Sequence, residues 1–159
     1  MVWVLVLCGL LAMPLLGWGA TMPAFTDTPQ VGFAQFVQGV DAAGTYKTIY
    51  VHADKASRCA YLNATNGDSV DHALRVRIKR TAVSYVQTTV NLPTTAGTAT
   101  TAPPVDVLAA ATWPGLPSES DGNPWIFLQA DDELEVTYLT AFTGVSGEII
   151  DVTVFCSNY

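Results

Sequence analysis

Apolar and polar residues alternate with period two along three stretches of the chain. In ALRVRIKR, Leu74, Val76 and Ile78 fall on one side and Arg75, Arg77 and Lys79 on the other. In ADDELEVTYLT, Leu134, Val136 and Tyr138 oppose Glu133 and Glu135, and in GEIIDVTVFCSN one face collects Ile150, Val152, Val154 and Cys156. Successive side chains of a strand point to opposite faces, so a strand is the element that segregates such sequences. TYKTIYV, RCAYLNATN (Cys59 and Tyr61 on one face, Ala60 and Leu62 on the other), AVSYVQTTVNL and WIFLQ add further strands, and VDVLAA adds a short one. Turn chemistry separates them, as in DAAG at 41–44 and NGD at 66–68. Roughly seven to eight strands and no helix after residue 45 predict an all-β fold, a single two-sheet β-sandwich or jelly-roll-like domain over residues 45–159.

Ahead of it the pattern changes twice. Residues 22–44 read as an extended N-terminal arm whose apolar positions Phe33, Phe36 and Val37 are candidate contact residues. Residues 1–21 are almost wholly apolar, and no charge occurs before Asp27. Three readings remain open for this segment. A signal peptide explains the apolar run, although no Lys or Arg precedes it. A membrane anchor needs about 20 apolar residues, and Pro14 interrupts this one. An upstream start would make Met22 the first native residue. A membrane partner follows only if residues 1–21 are retained as an anchor.

Half of the 159 residues are hydrophobic, only 13% are charged, and Thr and Val outnumber Lys and Glu, all of which favours sheet. The formal net charge of −7 argues against a nucleic-acid partner bound through phosphate. All seven Lys and Arg lie between Lys47 and Arg80, and nine Asp and Glu follow. Basic and acidic strands side by side in one sheet is the simpler expectation; two charged poles suited to assembly is the alternative. The long Thr/Ala/Pro-rich stretch 93–117 suits a sandwich crossover, and Trp113 and Leu116 within it are candidate contact residues.

Chemistry-bearing motifs are scarce. The two histidines, His52 and His72, have no partner at metal-ligand spacing, and no nucleophile elbow, P-loop or dinucleotide fingerprint occurs. No catalytic residue, metal ligand or cofactor is predicted, and the chain reads as a non-enzyme. The acids at 131–135 and 66–71 lack the calcium-loop pattern and fit turn chemistry. Trp113, Trp125, Tyr61, Phe127 and Tyr138 could stack on sugar rings, although core packing explains most aromatics at such positions. Cys59 and Cys156 could form a disulfide across the domain or remain buried thiols.

TYKTIYVHADKASRCAYLNATN resembles the opening of small β-sandwich structural proteins of tailed-bacteriophage virions. LRVRIKR is similar to their next alternating strand, and WIFLQADDELEVTY to a late hairpin of the same group. The resemblance spans about residues 45–159. It implies a capsid decoration (cement) or tail accessory subunit, located in the virion, whose partners are other virion proteins and copies of itself, with the arm and the 93–117 loop making contacts. The alternative is a secreted bacterial β-sandwich that binds carbohydrate or acts as an adhesin, which requires a cleaved signal and a Cys59–Cys156 disulfide.

Overall fold

The computed structural model describes residues 29–98, 102–120, 122–143 and 148–159. The signal, anchor and upstream-start readings of residues 1–21 therefore fall outside the described residues. Nine strands and no helix occur among the described residues: β1 Pro29–Val37, β2 Lys47–Val51, β3 Ser57–Asn66, β4 His72–Arg80, β5 Val83–Leu92, β6 Val105–Asp106, β7 Trp125–Leu128, β8 Glu133–Tyr138 and β9 Ile149–Asn158. They form two antiparallel sheets packed as a sandwich. One sheet, A, runs β1-β9-β3-β6, with β7 also paired to β3; the other, B, runs β2-β8-β4-β5.

The alternating strands bury the faces their patterns demand. Leu74 and Val76 from β4, Leu134, Val136 and Tyr138 from β8, and Ile150, Val152, Val154 and Cys156 from β9 meet in one core. In β8, second in sheet B, Glu135 and Thr137 are buried as well, because neighbouring side chains roof them over. Arg77 supplies part of that roof: its guanidinium bonds Glu135 Oε2 at 2.5 Å and lies 3.3 Å from the Tyr46 ring centre.

Two sequence expectations are corrected here. Residues 29–37 are a strand of the sandwich, not part of an arm outside it: β1 pairs with β9 along its whole length. Phe36 is accordingly fully buried, while Phe33 and Val37 lie on the outward side, Phe33 exposed and Val37 half-buried. In β3, Cys59 and Tyr61 do not share a face. The register slips between Ala60 and Asn63, and Tyr61 takes the left-handed conformation at φ 55°. This bulge inserts one residue, so Cys59 and Leu62 both face the core while Tyr61 is thrown outward.

Between β5 of sheet B and β7 of sheet A, the described residues of 93–98, 102–120 and 122–124 pack along the side of the sandwich. Val107 and Leu108 are buried in the core, and the Val107 amide donates to the Leu62 carbonyl at 2.8 Å. Thr112 Oγ1 ties the turn by donating to the carbonyls of Val107 and Ala109. Trp113 and Leu116 are partly buried and pack against the core from this segment. An open sandwich edge exposes apolar residues of both inner faces, and a long apolar-rich connection is what seals it.

The opposite side closes through a single glycine. A Cβ built on Gly32 of β1 would collide with the Ile49 carbonyl oxygen of β2 and come within 2.8 Å of Val154 Cγ1. Backbone cannot yield as a flexible side-chain end would. Gly32→Ala is therefore expected to cost about 1–3 kcal/mol, read as a lower urea midpoint at unchanged slope; an unchanged midpoint would show that β1 and β2 can separate freely.

Candidate interaction face

The outward side of sheet A is built in rows set by strand register. Pro29, Ser157, Arg58 and Phe127 form the first row; Val31, Phe155, Ala60 and Trp125 the second. Phe33, Thr153 and Asn63 form the third, and Gln35, Asp151 and Thr65 the fourth. Directly opposed residues on antiparallel strands point to the same face, so each row is a line of neighbours. Val31, Phe33, Tyr61, Phe127 and Phe155 are each between 47% and 62% exposed. The odd-numbered positions of β1 and the bulge at Tyr61 together place this aromatic band outside the core.

Its polar groups are largely committed to one another. Arg58 pairs with Glu119 and lies 4.7 Å from the centre of the Trp125 ring. Asn123 Nδ2 donates to Tyr61 Oη at 3.3 Å, and Gln35 Nε2 donates to Asp151 Oδ1 at 2.9 Å. Of the five aromatics that could have formed a sugar platform, Tyr61, Trp125 and Phe127 share this face. Tyr138 is buried in the core and Trp113 packs against it.

The centre of the outward side of sheet B is charged. Arg77, Lys79 and Arg80 of β4 pair with Glu135, Glu133 and Asp132 at 2.5, 2.7 and 2.7 Å, so the basic and acidic segments lie side by side. Lys79 and then the Thr48 hydroxyl hold Glu133 below its usual carboxylate range. Arg80 does the same for Asp132, which also accepts the Gln129 amide. Arg75 bonds Thr89 across to β5. Along β4 and β8 this face is a ladder of mutually satisfied charges, while its edge strands β2 and β5 expose Val51, Val83, Tyr85 and Val86.

Two buried features complete the inventory of reactive side chains. Cys59 and Cys156 are directly opposed on β3 and β9 and joined by a disulfide. At one end of the sandwich, His72 and Asp68 are fully buried and bonded at 2.7 Å through Nε2 and Oδ2. His72 Nδ1 faces the Thr140 carbonyl oxygen at 2.8 Å, which can only accept, so Nδ1 carries a proton. Burial pushes the Asp68 carboxyl up, but hydrogen bonds from His72, the Ser69 amide, Glu148 and the Thr143 amide outweigh it and hold Asp68 below its ordinary value. His52 differs: its Nδ1 accepts the amides of Asp54 and Lys55 and caps a turn.

Sequence reasoning missed the His72–Asp68 pair, because NGDSVDH reads as turn chemistry and gives no sign of burial. Next to that pair a shallow hollow of about 530 Å³ is lined by Gln38, Asp41, Tyr138 and Phe142 among others. Tyr138 Oη there donates to the Asp41 carbonyl, and Asp41 pairs with Lys47 at 2.7 Å. Among the described residues no group of three or more His, Cys, Asp or Glu is placed to hold a metal ion, and no helix is long and apolar enough to cross a membrane. A scan against protein-family models finds no match for the chain, and neither does a search of curated protein sequences.

Proposed function

We propose that the chain is a structural subunit of a bacteriophage virion, of the capsid decoration or accessory type, and that it works without catalysis by protein–protein contact through the outer face of sheet A. The observation that carries this reading is the exposed band of Val31, Phe33, Tyr61, Phe127 and Phe155 across four strands. Scattered apolar residues are normal on a surface, whereas a contiguous aromatic patch rimmed by polar groups marks a contact site. On sheet B the ion-paired centre is a poorer adhesive surface, because exposed ion pairs contribute little and are screened, and the apolar residues Val51, Val83, Tyr85 and Val86 lie on its two edge strands. The sequence resemblance to virion β-sandwich proteins points the same way.

The secreted reading keeps one supporting observation, the Cys59–Cys156 disulfide, since such bonds persist in oxidising compartments. Virion surfaces are among those compartments, so the bond fits both. Val31, Phe33 and Phe155 weigh against a sugar platform, because they add apolar contact without the polar groups that orient a glycan.

The test is peptide mass spectrometry of purified particles released by cells carrying this gene. Peptides of this chain are expected at a fixed ratio to the major capsid or tail protein. Their absence from particles, with the chain free in the medium and retained on polysaccharide beads through Phe127, would overturn the virion reading.

A further inference from the structure

We propose that the occupant of the outer face of sheet A is a second copy of the chain, related by a two-fold axis that lies in the interface and runs perpendicular to the strands. This rests on reading that face as a contact surface and names its partner. The order of the rows supplies the argument. Arg58 is the cation of the first row, Asp151 is the acid of the fourth, and the apolar residues Val31, Phe155 and Phe33 occupy the two rows between. A two-fold axis across the strands, placed between rows two and three, lays row one on row four and row two on row three. Val31 and Phe155 then meet Phe33 of the second copy, and Arg58 approaches its Asp151.

An axis parallel to the strands would instead set each row on itself in reversed strand order, which leaves Arg58 and Asp151 in separate rows and opposes Asp151 to Asp151 when it runs over β9, or Arg58 to Arg58 when it runs over β3. Like charges brought together in an interface are costly, so the charge pattern selects the first arrangement. Arg58 is already paired with Glu119, which is itself about half exposed, so the second copy's Asp151 joins that pair at its rim. Asp151 is bonded by the neutral amide of Gln35 and keeps its charge available.

The area is sufficient for a weak closed dimer. Five half-exposed side chains offer about 500 Å² per copy, given the size of aromatic side chains. Two copies bury about 1,000 Å², the lower end for a specific interface, so a dissociation constant of about micromolar order is expected. The two-fold makes the contact self-complementary and closed, which fits a dimer better than a filament.

The experiment is sedimentation equilibrium of the full chain from about 1 to 100 μM, bracketing that affinity. A monomer–dimer equilibrium is expected, and Phe155→Lys should weaken it at least about tenfold. Val40→Lys, at an exposed residue away from the band, should leave it unchanged. Asp151→Arg alone should weaken the dimer, and Arg58→Asp with Asp151→Arg should restore it; failure to restore overturns the proposed orientation. A photo-crosslinking benzoylphenylalanine at position 33 should link to Val31 or Phe155 of a differently isotope-labelled copy. A monomer throughout, or crosslinks confined to residues 1–28 of the same chain, overturns the proposal. A monomer that is nevertheless present in particles overturns this inference and leaves the virion function standing.

Discussion

Loss of the Cys59–Cys156 disulfide should lower the stability of the domain by about 3–5 kcal/mol. The bond joins residues 97 apart, so the loop it closes encloses most of the sandwich. In the unfolded chain such a crosslink removes loop-closure entropy that grows slowly with length, reaching about 4.7 kcal/mol for a 100-residue loop, while measured values often fall below this. In the folded chain the two residues face each other on β3 and β9 whether or not they are bonded, and core side chains surround both. The effect therefore acts mainly through the unfolded state. A total stability of about 5–15 kcal/mol is usual for a domain, so the loss is a large share of it. The double variant Cys59→Ala, Cys156→Ala should melt at least about 10 °C below the wild type. Dithiothreitol should do the same to the wild type only after unfolding, because Cys59 is fully buried. A melting temperature unchanged in both would show that the two sulfurs remain thiols.

What the sequence disclosed and what it hid divide along a physical line. The alternation of β4, β8 and β9 was legible because period-two segregation reports directly which face meets the core. The pairing of basic with acidic strands followed too, since Arg77 and Lys79 on β4 need acids opposite them and Glu135 and Glu133 stand there. The bulge at Tyr61 was not legible. A single residue in the left-handed region carries no marker when it is a tyrosine, yet it reverses every face assignment after it. Phe36 looks like a contact residue in the sequence because Gly and Gln intersperse the segment around it. Edge strands tolerate such residues, and only pairing with β9 reveals it as core. Of the candidate contact residues, Phe33 alone lies in the aromatic band. Tyr61 and Phe127 stand out in the sequence only as sugar-stacking candidates, and nothing in it marks Val31 and Phe155, because exposure at a strand position depends on register.

The buried ends of the chain's polar network should be the most sensitive to substitution after the disulfide, and Asp68 is their centre. Its carboxylate accepts from His72 Nε2 at 2.7 Å, from the Ser69 amide at 2.5 Å and from the Thr143 amide at 3.5 Å, and Glu148 bonds it as well. His72 Nδ1 and Nε2 both face oxygen atoms, so the imidazole is anchored at both ends. Asp68→Ala strips a buried imidazole and a buried carboxyl of their common partner and should cost about 3–5 kcal/mol, the range for breaking a buried pair from one side. Asp68→Asn keeps the shape but replaces charge-assisted bonds with neutral ones, and about 1.5–3 kcal/mol is expected. The pH dependence follows from the same carboxylate. Its folded-state pKa lies below the ordinary aspartate value of 3.8, so its contribution is fully present above that value and is lost as pH falls through the folded pKa. The stability difference between wild type and Asp68→Asn should therefore be flat from neutral pH down to about pH 4 and shrink below it. Asp41, Asp132 and Glu133, also held low by their partners, should make both proteins lose stability in the same acid range, so the difference between them isolates Asp68. Urea unfolding of both proteins at intervals from pH 7 to pH 3 measures it. A difference under about 1 kcal/mol at neutral pH, or one that widens in acid, would mean that Asp68 is not the ionised centre of the cluster.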